Sequence, residues 1–222
     1  MERARHNIYA IIHKALRLAM AETLPALGRL DVADPKEVSE AIVRVRDLVR
    51  FCKVHLDAEN TFIHPAIEAR RPGSSARIAA EHVEHLAAIA AIERDVEALA
   101  RAPLASREAA AFALYAELGK FVGENFVHMH VEETVHNAAL WEAYTDEEIL
   151  ALENTIKAHH TPEEMAFVLR WMLPAMTPAE RAGMFTGLRK VAPPPVVEKL
   201  VALARAHVDA SAFDKLTLAL AA

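Results

Sequence analysis

The chain is short of the residues that cross-link small domains and punctuate β structure. Its one cysteine, Cys52, permits no intramolecular disulfide framework and fits a reducing, cytoplasmic setting. Six glycines in 222 residues and an aromatic content of 6% favour helices over strands and hairpins. Positive charge is not in excess. A net charge of −6 and a pI of about 6.1 remove any general attraction to nucleic acid or an anionic membrane. No apolar run approaches the roughly 18 residues of a membrane span. The stretch IYAIIHKALRLAM is broken by His13, Lys14 and Arg17, and its spacing is that of an amphipathic helix rather than a signal sequence. G-x-S-x-G, the P-loop, the dinucleotide fingerprint and C-x-x-C are all missing, which sets aside the usual hydrolase, nucleotide and thiol-redox chemistries.

What is present is helix. A first helix is expected from about Arg5 to Leu27, ending near Gly28. Asp34-Pro35-Lys36-Glu37 is a start signal for a second, which runs to about His64, where Pro65 would end or kink it. Pro72-Gly73-Ser74-Ser75 opens a third, to about Arg101, and Ser106 caps a fourth that reaches about Tyr144. Long helices with short links make an antiparallel four-helix bundle the expected all-α architecture for residues 1–145. Shorter pieces follow, with capping boxes at Thr145–Glu148, Thr161–Glu164 and Thr177–Glu180. Residues 146–222 read as a helical extension packed on the bundle, without a chemical motif of its own.

The histidines raise the chemical question. A histidine and a glutamate four apart share a helix face, so H-x-x-x-E can aim a nitrogen and a carboxylate at one ion. The motif occurs five times, at His55, His64, His128, His159 and His160, and alone identifies nothing. Placement is more selective. His55/Glu59 and His128/Glu132 stand at a constant offset of 73 residues, which also pairs Thr61 with Thr134 and Ile67 with Leu140, as in a duplicated helix pair. Each lies on an apolar stripe: Leu48, Cys52, His55, Glu59, Phe62 in one and Phe121, Asn125, His128, Glu132, Ala139 in the other. The first helix adds Tyr9, His13, Leu16, Met20, Leu24, Leu27. The third adds Ile78, His82, His85, Ile89, Ile92, Val96, Leu99. One interior histidine is usually a satisfied core residue. Interior histidines on four helices with two buried carboxylates, and no lysine or arginine on these stripes near them, are better explained by a pair of metal ions. Cys52 reads as a core thiol, Asp57, His130 and Glu133 as flanking groups, and His64 and His136 as structural.

The pattern of His13, His55/Glu59 with His64-Pro65, Glu81-His82 and the HMHVEE run at His128 resembles the hemerythrin-like, HHE cation-binding family of bacterial type, over residues 4 to about 144. The resemblance implies a non-haem di-iron centre. His13, His55, His82 and His128 would be its terminal ligands, and Glu59 and Glu132 its bridging carboxylates. His85, three residues after His82, is the reserve ligand on the third helix. Four imidazoles with two carboxylates suit two iron ions, and also manganese, zinc or a mixed pair. The expected partners are small diatomic ligands, oxygen or nitric oxide, or peroxide. No protein partner is indicated. An apolar lining of Leu16, Met20, Phe62, Ile89, Phe121 and Leu140 favours binding, in sensing, iron handling or stress protection, over enzymatic turnover. The alternatives are a helical interaction module and a peroxide-consuming enzyme.

Overall fold

The computed structural model describes residues 5–221, so residues 1–4 and 222, at the outer edges of the expected domains and of the resemblance, lie outside it. The described chain is all helical, with no strand. Contacts divide it into two compact units, Met1–Tyr9 with Ala19–Ile156 and Ala10–Leu18 with Lys157–Ala222.

The long helices are α1 (Ala10–Gly28), α2 (Pro35–Ala58), α4 (Ala76–Arg101) and α5 (Leu104–Val131), with short α3 (His64–Arg70), α6 (Asn137–Ala143) and α7 (Asp146–His159). Within the first unit α2 packs on α4 and α4 on α5, the bundle that the sequence leads one to expect. The start signals act as read at α2, where the Asp34 carboxylate accepts from the Lys36 N–H at 2.8 Å and Pro35 takes the first turn. Two ends differ. α1 begins five residues later than expected, because the Asn7 side chain accepts from the Tyr9 N–H and Arg5 turns to the carbonyls of Trp141 and Tyr144. Ser75 precedes α4 without capping it, since its hydroxyl donates to Glu68. Gly73, at φ 84°, supplies the left-handed residue of the turn before α4.

The second and fourth helices are not uninterrupted α-helices. A π-helical turn, Glu59–Ile63, separates α2 from α3, and another, Glu132–His136, separates α5 from α6. Each widens one turn, so His64 N–H reaches back five residues to Glu59 O and Asn137 N–H to Glu132 O. The expected break at Pro65 is resolved here. The proline sits in the first turn of α3, just after the wide turn, where its fixed φ suits the helix. Proline is not the common cause, since Ala138 holds the equivalent place after the second π turn. What the two turns share is a buried glutamate at their first position, again 73 residues apart.

In the second unit α8 (Pro162–Ala175), α9 (Pro178–Val191), α10 (Pro194–His207) and α11 (Ala210–Ala221) surround Leu169, Leu173, Phe185, Ala204 and Leu216. The Thr161 and Thr177 capping boxes form reciprocally, as their sequences specify. The buried Arg181 closes the end of α8 by donating to the carbonyls of Leu173 and Met176, where a cation also meets the negative end of the helix dipole.

Candidate metal centre

The apolar stripes deliver most of the histidines and both glutamates to the interior. On α4 the buried set is Ile78, His82, His85, Ile89, Ile92, Val96 and Leu99, the whole expected stripe. Glu59, His82, His128 and Glu132 are buried, and the His55 side chain is only 10% exposed. His13 is buried on α1, in the part of that helix that groups with the second unit. The Cys52 thiol is buried and pushed up to about 12 by that burial, so it stays protonated and unreactive.

Glu59, His82, His128 and Glu132 each bring a ligand atom to within 4.8 Å of the others, and so do His55, Glu59 and Glu132. Glu59 belongs to both sets. Its Oε1 lies 3.3 Å from His55 Nε2 and its Oε2 3.5 Å from His82 Nε2, so the carboxylate turns one oxygen to each side. Glu132 Oε1 is 3.2 Å from His128 Nε2 and 3.6 Å from His82 Nε2.

The tautomers give the sharpest test of whether metal fits. His128 Nδ1 lies 2.8 Å from Glu81 Oε2, and a carboxylate only accepts, so the ring proton is on Nδ1. His82 Nδ1 lies 2.8 Å from Asn60 Oδ1 and donates likewise. The two Nε2 atoms, left with lone pairs, face one another at 3.1 Å. Two lone pairs at that distance repel unless a proton on one ring or a metal ion held by both lies between them. Neighbouring ligands on one ion with metal–nitrogen bonds of about 2.1 Å stand about 3 Å apart at a right angle and about 3.4 Å apart in a tetrahedron. The spacing fits one shared ion, and the donor set fits the chemistry expected of it.

Glu81 and Asn60 were not singled out as ring-orienting groups. Glu81 is legible only through its place beside His82, and Asn60 only once the π turn is known. The flanking groups Asp57 and His130 are exposed, the commoner fate for such residues.

Electrostatics agree. Burial, and then the charge of Glu132, holds the Glu59 carboxyl well above the ordinary carboxylate range. Burial works against a charged His128, but hydrogen bonds and charges from Glu132 and Glu81 outweigh it and raise the ring. The pocket is crowded with negative charge that must be protonated or matched by a cation.

Two histidines read as structural also reach this region. His64 stacks on His82 with ring centroids 4.8 Å apart, and His64, Glu132 and His136 form a third group of converging ligand atoms. The buried Tyr9 hydroxyl lies 3.3 Å from His136 Nδ1. The lining is therefore not wholly apolar, as the sequence stripes led one to expect. Burial pushes His64 down to about 4, so its ring is neutral near neutral pH.

The sequence matches the family model of the hemerythrin HHE cation binding domain over residues 8–140. The chain belongs to this family. No curated protein and no solved structure matches it. The family's cation binding accords with the buried histidine and glutamate clusters of this hemerythrin-like domain. Among the described residues no helix is long and apolar enough to cross a membrane.

His82 belongs to the converging groups and His85 does not; the His85 ring packs 4.5 Å from that of His128 and 5.9 Å from that of Phe121. His82→Ala is therefore expected to lower bound metal strongly, and His85→Ala to leave it close to the wild-type value. Elemental analysis of the two variants decides, and the reverse order would move the third-helix ligand to His85.

Proposed function

We propose that this hemerythrin-like protein holds a non-haem pair of iron ions and binds or slowly reacts with oxygen, nitric oxide or peroxide. The observation that carries the reading is Glu59, whose two oxygens face different histidines while its neighbour Glu132 shares both sets. In this reading His55, Glu59, His82, His128 and Glu132 hold the metal, with His13 as the remaining ligand candidate of the sequence pattern. Manganese, zinc or a mixed pair would suit the same donors.

The chain's own residues do three things. Glu81 and Asn60 fix the His128 and His82 rings with Nε2 presented inward, which raises ligand basicity and holds orientation. Met20, Ile89, Phe121 and Leu140, all buried, limit access to small molecules. The paired carboxylates supply negative charge that favours multiply charged cations over protons once metal is present. When bound, an iron pair would supply one- and two-electron redox chemistry and open positions for a small ligand. The biological use is sensing, iron handling or stress protection.

The test is anaerobic loading with ferrous iron, reduction, and mixing with oxygen, nitric oxide or peroxide under visible absorption. A change of spectrum with each addition, or with one of them, is the expected result. A metal-loaded protein whose spectrum responds to none of the three would leave a structural metal site in its place.

A further inference from the structure

The ligand set carried by the sequence pattern omits His64 and His136, two of the three residues of the third converging group. His64 and His136 are both buried, and each has an Nε2 atom shut away from solvent without a well-formed hydrogen bond among the described residues, the Ser74 backbone being the polar group beside the His136 ring. Leaving a buried polar atom unmatched is costly, and two such atoms beside one carboxylate are not explained by packing. The His136 ring is held from its other side by the Tyr9 hydroxyl, 3.3 Å from Nδ1. The His64 ring is held by its stack on His82 and stands edge-on to His136, with centroids 5.4 Å apart. The first π turn puts His64 there, and His136, four residues after Glu132, shares that glutamate's face in any case. In a regular helix the fifth residue after Glu59 would leave its face, whereas the wide turn returns His64 to it, and the second π turn ends on His136 itself.

We propose that His64, His136 and Glu132 form a third cation position, for one divalent first-row transition ion. Two imidazoles and a carboxylate are the three protein ligands of many open zinc sites and of ferrous sites with vacant positions. Glu132 is common to all three converging groups. An ion here therefore draws on the carboxylate that the paired centre would use as a bridge, and the two compete. That competition rests on the di-metal reading; the position itself does not. It offers a place for an ion that is entering, leaving or blocking the pair.

Zinc is the probe, because it binds nitrogen ligands more tightly than ferrous iron does. Crystals of the full chain soaked in zinc chloride should show, at the zinc edge, an anomalous peak within bonding distance of both His64 and His136. In solution, His64→Gln with His136→Gln should lower zinc bound at saturation by about one ion per chain, a position with three protein ligands having lost two of them. Zinc peaks confined to His82/His128 or His55/Glu59, or an unchanged stoichiometry in the double variant, overturn the proposal. The wild-type soak needs no substitution, so a variant that folds poorly does not shelter the idea. If the wild-type chain takes up no iron yet shows the His64/His136 zinc peak, the paired-iron reading fails and this one stands.

Discussion

Replacing Glu132 with alanine is expected to reduce bound iron from about two ions per chain to about one or fewer, because each ion loses a ligand when a shared carboxylate goes. Glu59→Ala should do nearly the same, since its two oxygens face His55 and His82 separately. The ring-orienting residues give a graded comparison. Glu81→Ala and Asn60→Ala leave every proposed ligand in place and free only a ring, which weakens affinity by about 10- to 100-fold without abolishing binding at saturating metal. His160→Ala, far along the chain on no converging group, should behave as wild type. Elemental analysis and a competition titration with a chelator of known affinity separate the three classes. If His160→Ala loses as much iron as Glu132→Ala, the metal is not where these residues converge.

The helix count and the buried faces were legible because 3.6-residue periodicity is a strong signal over long stretches. On α4 every residue of the expected stripe is buried. On α5 Phe121, Asn125 and His128, and on the π turn after it Glu132, are buried as the spacing requires. The 73-residue offset was visible as paired H-x-x-x-E motifs, and the structure adds that each pair ends on a π turn. That addition was not legible. One extra residue in one turn changes the hydrogen-bond ladder but leaves the pattern on either side intact, so the period of the stripe carries little trace of it.

The consequence shows just past each glutamate. A regular helix continues the α2 stripe from Glu59 to Phe62. The wide turn instead buries Ile63 and His64 and leaves Phe62 only half-buried. His64, five residues after Glu59, falls off the extrapolated face, whereas His136, four after Glu132, stays on its own. They also made the pocket more polar than the apolar residues around it suggested. The first π turn returns His64 to the face of Glu59, which a uniform α-helix would not do, and such bulges are often found in functional sites.

Filling the paired centre with iron is expected to raise the melting temperature by about 10 °C or more. A ligand present at a thousand times its dissociation constant adds about 4 kcal/mol, and each kcal/mol is worth about 2–4 °C in a chain of this size. The same carboxylates should make the metal-free protein pay at higher pH. Glu59 holds its proton more tightly folded than unfolded, because it is buried beside Glu132. Its contribution to folding is fully present below the ordinary carboxylate pKa and fades as pH rises through that range toward the raised value. Glu59→Gln keeps the shape and removes the titration. It should therefore melt higher than the wild type without metal, flatten that decline with pH, and lose most of the stabilisation by iron. The two proteins exchange rank when iron is added, the mark of a group kept for binding at the expense of fold stability. Melting curves with chelator and with ferrous iron, each at several pH values, test this. A Glu59→Gln protein that gains as much from iron as the wild type would remove Glu59 from the centre, and equal melting temperatures with and without iron would remove the centre from the core.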